Sequence, residues 1–304
     1  MGISDRKKLP QIFVVDDNNE NIQQVKNHLQ DLDFTVNVTN DPRKILELAG
    51  ETVPDLILMN PEYLIELEKT NALKDKMLSM IGHDLRSPLG SIKMVLDFID
   101  QKIIDPKSQE FESTIPELIA ATDEALHLLE NLLYWSRIQA GTVSCEPENY
   151  KLKLLIDKAL NNLKRIFNRK TITVINRISS EQSVFGDEYL LLTIFRNILS
   201  NACKFSLPGS ETVIECKDSG GTIEILFRDQ GIGMKEENLQ KIFNPHTLFH
   251  TYGTNNETGN GLGLKVCSEL TKINKGCIDL TSQEGSGTTV KLLLPSKKTD
   301  QTES

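Results

Sequence analysis

No apolar stretch in this chain approaches the roughly 18–20 residues that a membrane-spanning helix requires. The opening, MGISDRKKLPQ, has no apolar core behind it and lacks the form of a secretory signal. Cys145, Cys203, Cys216, Cys267 and Cys277 never stand as a CxxC pair. That spacing argues against a structural zinc site or a dense disulfide framework, and for a reducing cytosol. A positive net charge is missing too: 34 Lys and Arg face 43 Asp and Glu, a formal charge of −9. Affinity for nucleic acid comes largely from phosphate neutralisation, so a general nucleic-acid binder is disfavoured. The expectation is a cytoplasmic protein with no membrane span. Any polyanion it binds must be held by local groups against an unfavourable overall field.

What is present suits a soluble chain of two domains, or three small ones: 304 residues, 38% hydrophobic and 25% charged. Apolar runs at Ile12–Val15, Phe34–Val38 and Leu56–Met59 read as strands, with a helix over 19–31 between the first two. Asp41-Pro42 reads as an N-cap and first helical position, opening a helix to about Gly50. Three strands with helical crossovers imply a parallel sheet that then stops. From about Glu62 to Lys102 apolar residues recur at steps of three and four: Leu78, Ile81, Leu85, Leu89, Ile92, Leu96, Ile99. Asp105-Pro106 reads as a turn. A second helix is expected from Pro116 to Gln139, stopped by Ala140-Gly141. Such a hairpin buries one seam, and pairing with a second copy into a four-helix bundle completes it. Residues 142–151 read as a linker. Helices are then expected near 153–167, 187–204, 235–242 and 262–274. Strands are expected near 171–177, 211–217, 222–228, 277–282 and 288–294. Their irregular order predicts a mixed sheet covered by helices on one face. The tail from Ser296 is polar.

Four groups of residues could carry chemistry. His83, in SMIGHDLRSPL, falls on the side of its helix opposite the Leu78–Ile81–Leu85 seam. An exposed histidine with Asp84 beside it suits a nucleophile, because a carboxylate on one ring nitrogen fixes the tautomer and activates the other. An ordinary surface histidine fits the same spacing. Pro88 removes a backbone donor and should bend the helix there. Asn197 and Asn201, four apart, share a helix face and could offer amide oxygens to a hydrated Mg²⁺, with Lys204 as a nearby cation. A solvated polar face is the plainer alternative. Asp229-Gln230-Gly231-Ile232-Gly233-Met234 follows a strand, where a carboxylate can accept from an exocyclic amine and glycines admit a flat ring. A plain turn reads the same way. Gly259-Asn260-Gly261-Leu262-Gly263-Leu264 opens a helix, which could present free N–H groups to phosphate, or serve only as a flexible connection. The polar stretch from Asn244 to Thr258 suits a mobile lid. His246 and His250 lie in it without a third metal ligand and are taken as lid residues.

Together, in this order, the four groups resemble the two-component sensor histidine kinases over about Glu62 to Ser296. SMIGHDLRSPL resembles the H box, FRNILSNACKFS the N box, DQGIGM and GNGLGL the two glycine boxes of the GHKL ATPases, and KIFNP the F box. EGSGTTVKLLLP resembles the closing strand pair. The resemblance implies a multidomain chain: a helical hairpin forming a dimeric four-helix bundle over 62–141, the 142–151 linker, and an α/β sandwich ATP-binding domain (Bergerat/GHKL) over 152–296, with a disordered tail over 297–304. It implies His83 as phosphoacceptor, oriented and activated by Asp84. It implies Asn197 and Asn201 as Mg²⁺ ligands, Lys204 on a phosphate and Phe205 against the nucleotide. Asp229 would read the adenine amine, with Gly231 and Gly233 shaping that wall. Gly259, Gly261, Leu262 and Gly263 would close over the triphosphate. ATP and Mg²⁺ are the implied cofactors. Phosphoryl transfer is mainly positioning and charge stabilisation, for which this toolkit is adequate. Two departures stand out. The family often has Thr or Asn four residues after the histidine, credited with positioning water for phosphatase activity. Here Ser87 stands there, whose hydroxyl can still orient water. The lid lacks the usual aromatic-and-arginine run.

Residues 1–61 resemble the first half of a response-regulator receiver. QIFVVDDNNENIQQV resembles its opening strand, acidic pair and first helix, and PDLILMN its third strand. The usual phosphoacceptor aspartate is Asn60 here, a poor nucleophile without charge. The segment is thus expected to be a truncated, phosphorylation-incompetent stub; an unrelated small α/β cap predicts the same inactivity. Its open-edged sheet needs cover, from the helical stalk or a dimer mate. The leading expectation is an ATP-dependent protein-histidine kinase that passes its phosphoryl group to a response regulator. A non-catalytic dimeric nucleotide-binding scaffold that docks a regulator is the alternative. A GHKL ATPase of the chaperone or topoisomerase kind is a third reading, disfavoured by the exposed histidine on a hairpin.

Overall fold

The computed structural model describes residues 9–29, 33–41, 44–101, 103, 105, 107–242, 244, 247, 249, 251–255, 257 and 261–297. The chain divides into two compact units, Met1–Lys74 and Asp75–Ser304.

In the first unit, β1 (Gln11–Val15), β2 (Thr35–Thr39) and β3 (Leu56–Met59) form a parallel sheet in the order β2-β1-β3. The central strand buries Ile12, Phe13, Val14 and Val15 on both faces, which is why it reads as a continuous apolar run. Helices α1 (Asn19–Leu29) and α2 (Ile45–Glu51) stand in the crossovers. The start of α2 expected at Asp41-Pro42 falls partly outside the described residues. The helix opens at Ile45 with Lys44 at its N-cap, and the Asp41 carbonyl accepts from Lys44 N at 3.1 Å. Pro42 lies outside the described residues. Asn60, directly after β3, caps the next helix. Its side-chain oxygen accepts from Glu62 N at 3.0 Å and its carbonyl from Tyr63 N at 3.0 Å.

That helix, α3, runs unbroken from Pro61 to Asp100 with Pro88 inside it. The second long helix, α4 (Gln109–Gln139), starts about two turns before the expected Pro116. Ser108 sets the start, because its hydroxyl accepts from Phe111 N at 3.1 Å. Pro116 therefore sits inside the helix. The stop falls as expected at Ala140-Gly141: Gly141 N donates to Ile138 O at 3.1 Å and Thr142 N to Arg137 O at 3.0 Å. Ile81 is buried within the chain, whereas Leu78, Leu89 and Leu96 of α3 and Leu126, Leu129 and Leu133 of α4 are exposed.

The remainder is a two-layer α/β body. The five-stranded sheet has the order β5-β7-β8-β10-β9, from β5 (Thr173–Asn176), β7 (Glu211–Asp218), β8 (Thr222–Asp229), β9 (Cys277–Gln283) and β10 (Gly287–Pro295). Only β5 and β7 pair in parallel. Alternation decides the buried face. Ile223, Ile225 and Phe227 of β8 stand opposite Leu294, Leu292 and Val290 of β10, all six buried. Helices α5 (Leu152–Arg169), α6 (Glu188–Phe205) and α8 (Gly263–Ile273) close that face with Ile156, Leu191, Ile194, Ile198, Val266 and Leu270. Each such burial contributes roughly 1.5–3 kcal/mol. The short helix α7 (Glu236–Ile242) follows β8. The strand and helix expectations from 153 onward fall within a few residues of these bounds.

One difference lies in the stretch expected as a linker. Residues 142–151 contain β4 (Glu148–Lys151), which pairs antiparallel with a second strand that the sequence did not suggest, β6 (Ser183–Gly186). The stretch is tied down further by Asp187, whose carboxylate accepts from Glu146 N at 3.0 Å and caps α6 by accepting from Leu190 N at 3.1 Å. The backbone N–H of Asp187 donates to Asn274 Oδ1 at 2.8 Å. The start of α6 is thus fixed on three sides, which sets the direction in which its last two turns point. Among the described residues, no helix is long and apolar enough to cross a membrane.

Candidate active site

The last two turns of α6 open onto a cavity of about 1250 Å³. Asn197, Asn201, Lys204 and Phe205 line it from α6, and Asp229 and Gly233 from the end of β8. Gly261 and Gly263 line it at the start of α8. So eight of the residues singled out in sequence converge on one space. Gly231 lies beside it, bridged to Ser206. Leu262 is buried next to it without lining it, 1% exposed. Gly259, with Asn260, His246 and His250, lies outside the described residues.

Asp229 closes the floor. Its Oδ1 accepts two backbone donors, Gly231 N at 3.0 Å and Thr288 N at 3.1 Å. Those bonds orient the carboxylate and leave Oδ2 for a donor entering the cavity. Burial pushes its pKa up to about 6, against the two backbone bonds, which pull it down. Phe227, Leu280 and Val290 supply apolar walls. Gly233 is obligatory for shape: its φ is 62°, and a Cβ there would stand 1.8 Å from Gln283 O. Gly261, with φ 67°, would press a Cβ to 2.2 Å from Phe249 O.

At the other end, Gly263 is the cradle for the two amides. A Cβ on it would lie 2.9 Å from Asn197 Oδ1 and 4.0 Å from Asn201 Nδ2. Two side-chain amides beside a helix N-terminus, with Asn197 presenting its oxygen, suit a hard cation beside phosphate. Lys204 stands next to them, its ammonium 5.0 Å from the Phe205 ring centroid. Burial lowers its pKa to about 8, countered by Glu257, Glu124 and Asp84. Asp84 thus acts on Lys204 electrostatically within one chain, although His83, Asp84 and Ser87 are not among the residues lining the cavity.

His83 presents a side chain that is 82% exposed, with its Nδ1 3.2 Å from Asp84 Oδ1. The Asp84 carboxylate thus stands within hydrogen-bond reach of one ring nitrogen. Ser87, one turn on, is exposed.

Sequence reasoning missed the groups that α4 contributes. Asn131 and Asn197 exchange amide hydrogen bonds: Asn197 Nδ2 donates to Asn131 Oδ1 at 3.1 Å and Asn131 Nδ2 to Asn197 Oδ1 at 3.3 Å. Both are 2% exposed. One residue earlier on each helix, Arg196 pairs with Glu130. His127, a turn back on α4, is half-buried, and its pKa falls to about 4 through desolvation and the Arg196 charge. The signal was available, since Asn131 interrupts the apolar run LLENLLYW, but only the partner helix explains it.

The His Kinase A (phospho-acceptor) domain matches residues 73–141, and the histidine kinase-, DNA gyrase B-, and HSP90-like ATPase domain matches residues 186–298. The chain is 27% identical over 249 residues to the sensor protein EvgS of Escherichia coli O157:H7, covering 77% of this chain and 20% of that protein. It is 24% identical over 230 residues to the sensor-like histidine kinase SenX3 of Mycolicibacterium smegmatis, covering 76% of this chain and 59% of that one. This chain therefore spans only part of the length of these relatives. The solved structure of the Acinetobacter baumannii histidine kinase AdeS shares the fold, with a TM-score of 0.52 at 19% identity over 71% of this chain and 98% of that one.

Proposed function

We propose, for a chain that belongs to the two-component histidine kinases, that it uses ATP to phosphorylate His83 and passes the phosphoryl group to an aspartate of a response regulator. The observation that carries this most is the exposed His83, bonded to Asp84, in the same unit as a cavity that brings together Asp229, Asn197, Asn201 and Lys204. The ionised Asp84 carboxylate accepts a hydrogen bond from Nδ1–H, which keeps the proton there and leaves the Nε2 lone pair to attack the γ-phosphorus. The N–P bond forms as the bond to the ADP oxygen breaks, and the positive charge left on the ring is balanced by Asp84. Attack by a regulator's aspartate on that phosphorus breaks the N–P bond and returns neutral His83. Ser87 would hold water for hydrolysis of the regulator's phosphoryl group. Asp229 Oδ2 accepts the adenine amine, Phe205 packs on the nucleotide, and Lys204 with the N–H groups of Gly261, Leu262 and Gly263 meets the phosphates. Asn197 and Asn201 would hold Mg²⁺, which when bound screens charge on the transferring phosphate. Gly259 belongs to the same loop.

The hairpin of residues 62–141 would dimerise through the exposed leucines of α3 and α4, with the ATPase body after it and a truncated receiver-like stub before it. We place the protein in the cytoplasm, in keeping with its five free thiols. Incubation with γ-labelled ATP should give acid-labile, base-stable label that His83→Ala lacks. Nucleotide binding with no label would replace this reading with the scaffold.

Two further outcomes follow from the site. Lys204 loses its charge as pH rises through about 8, so ATP affinity should fall over that interval. In Lys204→Arg it should stay flat, because guanidinium keeps its proton. Calorimetric titrations at stepped pH check this. Asn131 holds the amide that would ligate the cation, so α4 must withdraw before Asn197 can serve. Asn131→Ala removes two hydrogen bonds worth together roughly 1–3 kcal/mol. It should lower the Mg²⁺ concentration for half-maximal ATP binding by about tenfold. An unchanged Mg²⁺ titration would show that the pair does not restrain the site.

A further inference from the structure

Lys170 closes α5, far in sequence from every motif above, and its side chain is only 4% exposed. Its ammonium donates to Cys203 O at 3.1 Å, Lys204 O at 2.7 Å and Thr254 Oγ1 at 2.8 Å, and pairs with Glu257 Oε1 at 2.6 Å. The two carbonyls are among those left without helical partners at the C-terminus of α6, where a cation is favoured. Thr254 and Glu257 belong to the stretch leading into the glycine loop. Thr254 N donates to Lys204 O at 3.1 Å, and Thr254 Oγ1 to Ser206 O at 2.7 Å. Glu257 draws the stretch closed, accepting from Asn255 N at its carboxylate and from Gly253 N at its carbonyl, both at 2.8 Å. On the far side, Ile232 N donates to Phe205 O at 3.1 Å, so the same helix end also fixes the Asp229–Gly233 loop.

The backbone that presents Lys170 is strained. Thr171 has a φ of 54°, the left-handed region that a β-branched residue avoids, at a cost of about 1 kcal/mol or more. It is held there by Thr171 N on Asn168 O and Ile172 N on Phe167 O, both at 3.0 Å, and by Gly209 N on Lys170 O at 3.0 Å. An apolar side chain could fill the space under α6 without the desolvation of a buried charge. A cation is needed where an anion must be neutralised, and that anion is Glu257, the foremost charge partner of Lys204 as well.

We propose that Lys170 is a positioning residue for the nucleotide site, holding Glu257 and Thr254 against the end of α6 so that Lys204 is left for the phosphates. The proposal rests on the nucleotide-site reading above. Without Lys170, Glu257 turns to Lys204 and competes with the phosphates for it.

The test is affinity for a non-hydrolysable ATP analogue, measured with thermal unfolding on the full chain. Lys170→Met should weaken binding by about tenfold, the scale of one charged hydrogen bond. Adding Glu257→Gln to it should restore most of the affinity while stability stays lowered. A purely structural Lys170 predicts the reverse: a double variant that binds no better than Lys170→Met overturns the proposal. If Lys170→Met fails to fold, Lys170→Gln and the double variant Lys170→Gln with Glu257→Gln are compared in the same way, and a double variant that binds no better than Lys170→Gln overturns the proposal. Wild-type protein that binds no analogue at all would instead sink the nucleotide-site reading.

Discussion

His83→Gln is expected to reduce ATP-dependent phosphorylation of the chain to background, with ATP affinity unchanged. The side chain is 82% exposed and its ring bonds to Asp84, its immediate neighbour in sequence. Removing it should therefore change stability by no more than about 0.5 kcal/mol. His83 does not line the cavity, so the nucleotide site should be untouched. Glutamine keeps a polar side chain of similar reach but offers no lone pair that can form an N–P bond under neutral conditions. The expected split, full loss of transfer with full retention of binding, separates an acceptor residue from a structural one. Phosphorylation of His83→Gln at even a tenth of the wild-type level would place the acceptor elsewhere.

Asp229→Asn is expected to act in the opposite way, removing binding while the fold remains. Two backbone donors hold Oδ1. In the asparagine variant the carbonyl oxygen takes that position, and the amide N–H₂ then faces the cavity. A donor meets the adenine amine, another donor, at a cost of about 1–3 kcal/mol, or roughly 10–100-fold in affinity. Stability should move the other way. The pKa of Asp229 is raised from 3.8 to about 6 in the fold, so its contribution is favourable below pH about 4 and is lost as pH rises through about 6. At neutral pH the buried carboxylate costs about 3 kcal/mol relative to its protonated form. The neutral amide escapes that cost, and Asp229→Asn should melt no lower than wild type. The same raised pKa predicts that wild-type ATP affinity falls as pH drops through about 6, where an ordinary carboxylate would hold to lower pH. With the Lys204 limit near 8, binding should be confined between the two.

Most of the ATPase body is legible in the sequence because local pattern decides it. The alternation of Ile223, Ile225 and Phe227, and of Val290, Leu292 and Leu294, survives because one face of the sheet is buried and the other is not. The motif residues were legible for a related reason: Asn197, Asn201 and Lys204 come to one cavity because helical spacing alone places them on one side of α6. What could not be read depends on partners distant in sequence. β4 is ENYK, with no apolar alternation, and exists only because Ser183–Gly186 pairs with it. The start of α4 was hidden because a proline inside a helix mimics a proline at its first turn, while Ser108 is one polar residue among several. Asn131 meets Asn197 across 66 positions and Lys170 meets Thr254 across 84. Asn131 shows locally only as a polar break in an apolar run, and nothing in the local sequence distinguishes Lys170 from an ordinary surface residue. These two residues are also the ones that restrain the site, which fits the usual division between motifs that touch the ligand and packing that aims them.

The central claim is that the phosphoryl group from ATP is carried on a ring nitrogen of His83. The most direct test is mapping of the phosphorylated residue, at alkaline pH, after incubating the wild-type chain with ATP and Mg²⁺. The account predicts a single phosphoramidate on the peptide containing His83. Phosphate on a serine, threonine or aspartate, or an unmodified His83 in a chain that demonstrably binds ATP, would contradict it.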